Sequence, residues 1–220
     1  MVRILIVAAT TPEIAPLLAR MHSVPTDCTF VDSYTYGAHD VDVLITGVGM
    51  VATAAWCTRA LDRAPYNLAL NLGVCGSFDQ FFDPGTVVHV LSDRLSELGA
   101  EDGEQFLTLP ELELPGVSEF VNPDPPPNPE IEQLPTVTGI TVNTVHGSNN
   151  SIAAITERFS PQVESMEGAA FMTTCLMHHV QFAQIRAVSN IVERRNRNAW
   201  KMAEAIVNLN VTAVRILDHA

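Results

Sequence analysis

Basic side chains are scarce. The 220-residue chain sets 12 Lys and Arg against 25 Asp and Glu, a formal net charge of −13. A surface this anionic repels phosphate backbones and anionic headgroups, and no basic tail offsets it, so neither nucleic-acid nor membrane partners are expected. Cysteine is equally thin: Cys28, Cys57, Cys75 and Cys175 are never closer than 18 positions. That excludes a CxxC redox pair and any local zinc-ligand doublet, leaving reduced core thiols, with no metal and no cofactor expected. Long apolar runs are missing too. Met1 to Ala9 is too short for a span and leads into Thr-Thr-Pro-Glu rather than a cleavage site, and no later window offers some 18 uninterrupted apolar residues. The chain therefore reads as soluble and cytoplasmic. What it does have is core-forming material, 47% hydrophobic against 17% charged, enough at this length for one compact domain over 1–220.

The acidity is unevenly placed. Between Leu95 and Glu157 there is no Lys or Arg but eleven Asp and Glu, so this stretch carries −11 of the −13. It also holds eight of the fourteen prolines, including Pro123-Asp-Pro-Pro-Pro-Asn-Pro129, a run that suits neither helix nor central strand. Residues 97–135 are expected to form mostly a solvated surface excursion, with an acidic docking surface as the alternative. Arg186 to Lys201 is the inverse, with Arg186, Arg194, Arg195, Arg197 and Lys201 against the single acid Glu193. Such a cluster suits an anionic ligand.

Short β-branched runs alternate with longer segments of helical periodicity, the pattern of an α/β architecture around a central sheet. Strands are expected at Val2–Ala9, Val41–Thr46, Leu68–Leu72, Thr86–Ser92, Val137–Thr144 and Phe182–Val188. Helices are expected at Glu13–Met21, Met50–Arg63, Asn149–Arg158, Met166–His179 and Asn198–Leu217. Loops at strand ends are where such folds place their sites.

Several of those loops carry chemistry. Gly47-Val-Gly49-Met-Val-Ala52 formally fits a dinucleotide fingerprint, but it does not follow the first strand and no acidic residue ends a strand some 20 residues on. A turn that lets the backbone approach a small ligand fits better, with plain helix packing as the simpler account. Asn71-Leu-Gly-Val-Cys-Gly76-Ser77 reads as a second glycine loop after a buried strand, lacking the Lys of a phosphate cradle. Cys75 within it has no cationic neighbour to make it a nucleophile. Glu13 opens a helix, where a carboxylate also favours the dipole. Glu167 sits among Met166 and small apolar residues, so its carboxylate needs partners such as sugar hydroxyls; Glu164 is expected to be exposed. Arg186, Ser189 and Asn190 close a strand. Separated carboxylates, an Arg and an amide at strand ends are suitable equipment for glycosidic cleavage, where a water is activated and a leaving group is hydrogen-bonded.

Taken in order, Thr-Pro-Glu13, Gly47-Val-Gly49, Asn71-Leu-Gly-Val-Cys-Gly76, Val163-Glu-Ser-Met-Glu167 and Arg186-Ala-Val-Ser-Asn190 resemble the purine nucleoside phosphorylase and nucleosidase superfamily. Within it they look most like the futalosine hydrolase family. The resemblance spans nearly the whole chain outside the proline-rich excursion. It implies a three-layer α/β/α sandwich with a mixed, twisted central sheet, usually assembled as a homodimer or higher homo-oligomer, and a small-molecule nucleoside substrate. It also implies roles. Glu13 would activate the attacking water, Glu167 would hold the ribose hydroxyls, Met166 would pack beneath the sugar, and Arg186 would organise the polar end. Ser189, Gly76 and Gly49 would line the substrate.

Two departures refine what the resemblance implies. Adenosine-type nucleosidases carry Asp where this chain has Asn190, and an amide offers NH2 donors suited to the N7 and O6 acceptors of a 6-oxopurine. Phosphorylases commonly carry Arg where Asn71 stands, so its absence favours water as nucleophile. The implied reaction is release of hypoxanthine from futalosine, with Arg194, Arg195 or Arg197 receiving the 5′-side carboxylate and Trp200 or Phe78 as aromatic walls. A methylthioadenosine/S-adenosylhomocysteine nucleosidase is the rival within the class, and a non-catalytic nucleoside-binding protein the rival outside it.

Overall fold

A computed structural model of the chain describes residues 2–78 and 82–220. Its first half runs β1 (Arg3–Ala8), α1 (Thr11–Leu18), β2 (His22–Val24), β3 (Asp32–Tyr36), β4 (His39–Ile45), α2 (Met50–Arg63), β5 (Leu68–Ser77) and β6 (Val87–Leu95). There follow β7 (Gly99–Asp102), β8 (Gln105–Thr108), β9 (Glu119–Val121), α3 (Pro129–Glu132), β10 (Thr136–Thr141), α4 (Asn149–Phe159), β11 (Val163–Ser165), α5 (Gly168–His178), β12 (Phe182–Ile191) and α6 (Met202–Asp218). A 3-10 turn, Arg197–Ala199, precedes α6.

Among the described residues, ten strands form one mixed sheet in the order β11-β10-β6-β12-β5-β1-β4-β3-β2, with β9 added on β6. β1 lies parallel to both β4 and β5, and β12 is parallel to β5 but antiparallel to β6. The unbroken apolar run of β1 follows from its place between two neighbours, since side chains alternate between faces and both faces are covered. Ile4, Ile6 and Ala8 join one core with Ile14 and Leu17 of α1 and Leu209 and Ala213 of α6. Leu5 and Val7 join another with Cys57 and Leu61 of α2 and Phe171 and Met172 of α5.

The sheet also folds back on itself. β11 pairs antiparallel with the end of β5, Val163 opposite Ser77 and Glu164 opposite Gly76, which links the terminal strand to the middle of the sheet. β5, β12, β6, β10 and β11 therefore close into a ring, and its interior is filled by Cys75, Val88, Val90, Val137, Val163 and Val188.

Several expectations need correction. Asn71 to Ser77 is not a loop, because β5 continues through it to Ser77; the extra length is what lets β5 reach β11. Glu164 is not exposed: it belongs to β11, a strand absent from the sequence reading, and only 4% of its surface remains accessible. Met166 and Glu167 precede α5 rather than forming its first turn, with Glu167 at the N-cap. Residues 97–135 are more than a solvated loop. They contain the β7–β8 hairpin, strand β9 and the one-turn α3, and Asn122 and Asn128 donate from their buried amides to the carbonyls of Phe182 and Ile216. Those bonds fix both ends of the proline run, and Pro129 begins α3 at a first-turn position that needs no N–H.

Among the described residues, no helix is long and apolar enough to cross a membrane.

Candidate active site

The C-terminal ends of β1, β5 and β12 open into a cleft of about 450 Å³. Seven of the expected site residues line it: Glu13, Gly76, Met166, Glu167, Ser189, Asn190 and Arg195. Three others do not. Arg194 is exposed and outside this lining, Arg186 is only 1% exposed, and Gly49 meets the site through its hydrogen bond to Glu167.

Glu13 is positioned by its own helix start. One carboxylate oxygen, Oε2, accepts hydrogen bonds from Thr10 N at 2.9 Å and Thr10 Oγ1 at 2.8 Å, the reciprocal arm of a capping box. The other, Oε1, accepts from Val74 N at 3.2 Å, tying α1 to β5. On the far side of the helix Asn210 of α6 donates to the Glu13 carbonyl at 2.8 Å. The carboxylate is thus fixed at one end of the cleft while its remaining lone pairs stay available.

Glu167 lines the same cleft and is held by two partners. Its Oε1 accepts from Gly49 N at 3.1 Å, and its Oε2 lies 3.5 Å from Arg186 Nη1. Gly49 has φ +106°, a conformation side chains rarely adopt, so the glycine turn read as a ligand approach serves here to aim an amide at Glu167.

Arg186 acts from below through a buried network. Nε donates to Gln184 Oε1 at 3.1 Å and Nη2 to Asn71 Oδ1. Gln184 Nε2 then donates to Asp93 at 3.0 Å, and Thr141 Oγ1 donates to the same carboxylate at 2.9 Å. Burial pushes the Asp93 carboxyl up to about 6, although both hydrogen bonds and the Arg186 charge pull the other way. The guanidinium passes directly over Gly73, where an added Cβ would fall 2.3 Å from Arg186 Nη1 and 3.1 Å from Glu13 Oε1. Gly73→Ala is accordingly expected to displace both side chains and reduce turnover by about 100-fold or more, since small misplacements of reacting groups cost this much; steady-state kinetics of the folded variant checks it.

Asn190 marks the third side. The pairing of β12 with β5 shifts register between Val188 and Asn190, a bulge that turns the end of the strand toward the cleft. Asn190 Oδ1 accepts from Ser189 Oγ at 2.8 Å, and Nδ2 donates to Ile191 O at 2.9 Å. One of the two amide hydrogens is therefore used internally, which corrects the expectation that both face a ligand; one N–H remains.

Of the three arginines considered for an anionic group, Arg195 is the one on the cleft wall, its guanidinium 5.7 Å from the centre of the Trp200 ring. Phe78 packs edge-on to His146 rather than lining the cleft. Cys75 is inert as a nucleophile because burial in the closed ring pushes its thiol up to about 12. No group of three or more His, Cys, Asp or Glu is arranged to hold a metal among the described residues. Sequence reasoning missed Asp93 and the pair His146–Glu164. An acidic residue inside the apolar run Val87–Leu95 was the available signal for the first; nothing local signalled the second.

A sheet of this order with two carboxylates, an amide and an arginine at its strand ends defines the class. The chain belongs to the phosphorylase superfamily, whose family profile matches residues 3–218. It is 33% identical over 180 residues to futalosine hydrolase of Streptomyces coelicolor, covering 76% of this chain and 74% of that one. It is 31% identical over 180 residues to futalosine hydrolase of Thermus thermophilus, covering 79% and 80%. Within the superfamily the chain thus falls in the futalosine hydrolase family. In structure it is similar to a methylthioadenosine/S-adenosylhomocysteine nucleosidase of Colwellia psychrerythraea solved with adenine, with TM-score 0.79, 23% identity and coverage of 99% and 95%.

Proposed function

We propose that this protein hydrolyses the N-glycosidic bond of futalosine, releasing hypoxanthine and dehypoxanthine futalosine on the route to menaquinone. The observation that carries the reading is Asn190, an amide on the cleft wall with one N–H that no acceptor among the described residues takes. A neutral donor suits the N7 and O6 acceptors of a 6-oxopurine.

The geometry supports a dissociative hydrolysis. As the C1′–N9 bond breaks, its electron pair moves into the purine, and the Asn190 N–H stabilises the charge gathering there. Positive charge develops on the sugar between Glu13 and Glu167, both of which favour it electrostatically. Glu167 accepts from the ribose hydroxyls, Met166 packs under the ring, and Arg186, 3.5 Å from Oε2, holds the Glu167 carboxylate in place. A water adds to C1′ and gives its proton to Glu13. The purine anion then takes a proton from solvent. Arg195 is the cation that can receive the 5′-side carboxylate of futalosine.

The same reading extends to architecture. The two cores on opposite faces of β1 support a three-layer α/β/α sandwich. We take 1–220 as one domain, cytoplasmic and homo-oligomeric, acting on a small nucleoside without nucleic-acid or membrane partners.

Comparing purine release from futalosine and from methylthioadenosine tests the function: hypoxanthine release from futalosine is expected to dominate, and preference for methylthioadenosine would overturn it. Asn190→Asp is expected to shrink that preference by about 10-fold or more, the scale of one lost hydrogen bond. An unchanged ratio would remove Asn190 as selector.

A further inference from the structure

His146 and Glu164 form a pair that the proposed mechanism does not use. Glu164 is 4% exposed, and its carboxylate accepts from His146 N at 3.1 Å and contacts His146 Nδ1 at 2.6 Å. A buried carboxylate spending both interactions on one residue holds that residue in a single orientation. Ring closure puts the pair beside Asn190: Glu164 stands opposite Gly76 across β11 and β5, and a Cβ at Gly76 would lie 3.4 Å from Asn190 Nδ2 and 3.5 Å from Glu164 Cγ. Both members, with Asn190, line a recess of about 80 Å³ that shares the cleft wall.

We propose that His146, oriented by Glu164, reads the six-membered ring of the departing purine, accepting the N1–H of a 6-oxopurine at Nε2. This inference deepens the futalosine reading and rests on it. In the neutral ring a carboxylate at Nδ1 selects the tautomer with hydrogen on that nitrogen, so Nε2 must be an acceptor. Among the described residues no hydrogen bond occupies Nε2, and the His146 side chain is 13% exposed. Hypoxanthine carries a hydrogen at N1 and matches this acceptor. Adenine carries a lone pair there and opposes it. Asn190 and His146 would then judge the two edges that flank O6 of the same base, the one by giving a hydrogen and the other by taking one. Glu164 is a positioning residue.

The test uses the whole protein and free bases as competitive inhibitors of futalosine hydrolysis. For the wild type, hypoxanthine is expected to bind about 100-fold more tightly than adenine or 1-methylhypoxanthine, as in sites built around a ligand N–H or O–H. His146→Ala is expected to bring the three within about 5-fold. Glu164→Gln, whose amide oxygen can still accept from Nδ1, should keep most of the discrimination, whereas Glu164→Ala should lose it. As a reading independent of variant folding, the 15N resonance of wild-type His146 Nε2 should move from an unbonded to an accepting position on adding hypoxanthine and not 1-methylhypoxanthine. Folded His146→Ala with unchanged ratios, or an Nε2 resonance indifferent to hypoxanthine, would overturn the proposal. A wild type that releases no hypoxanthine from futalosine would instead overturn the function itself.

Discussion

Glu13→Gln is expected to lower kcat by about 10³- to 10⁴-fold while leaving the fold intact. The substitution removes the capacity to take a proton from water and little else. A Gln oxygen can still accept from Thr10 N, so the start of α1 keeps its partner, and stability should change by no more than about 1 kcal/mol, the usual worth of a cap. The amide NH2 would meet the Val74 N–H that now donates to Oε1, so a small rotation is expected without loss of the site. Single-turnover release of hypoxanthine, with binding of hypoxanthine measured by calorimetry, separates chemistry from affinity. Turnover near the wild-type level would remove Glu13 as the base and favour a protein that only binds nucleosides.

Glu167→Ala is expected to damage stability and activity together. Glu167 and Arg186 are 5% and 1% exposed, and removing one partner leaves the other buried charge uncompensated, at a cost of about 3 kcal/mol or more. Arg186 keeps Gln184 and Asn71, which places the loss toward the lower end of that range. Glu167→Gln fills the same volume and retains an acceptor for Gly49 N, so it should fold better than the Ala variant. It still lacks the charge proposed to face the developing cation, and kcat/KM should fall by about 100-fold or more. Urea unfolding and kinetics on both variants check this: a Glu167→Gln variant as stable as the wild type would show that the Arg186 ion pair does not contribute.

How much of this was legible from the chain alone depended on whether the information was local. β1 announces itself by an unbroken apolar run, and α2 by its periodicity between Gly49 and Arg63. Glu13, Glu167 and Asn190 stood out because polar groups closed apolar segments. Glu164 was misread because its burial depends on β5 continuing past two glycines to meet β11, a pairing of residues 88 positions apart for Glu164 and Gly76. His146 is joined to it by the same closure. Asp93 is satisfied by Thr141 and Gln184, each remote in sequence. The proline run gave the right turn chemistry and the wrong environment, because its anchoring by Asn122 and Asn128 lies in carbonyls of β12 and α6.

The capping of α1 by Glu13 has a thermal consequence. The carboxylate that would draw the proton from water also satisfies the first amide of its helix, and the same helix is tied to α6 through Asn210. Fraying of that single turn would disarm the enzyme while the sheet remained folded. On warming, activity should therefore decay with the local opening of α1, seen as hydrogen exchange at Val74 N, ahead of the cooperative melting of the rest.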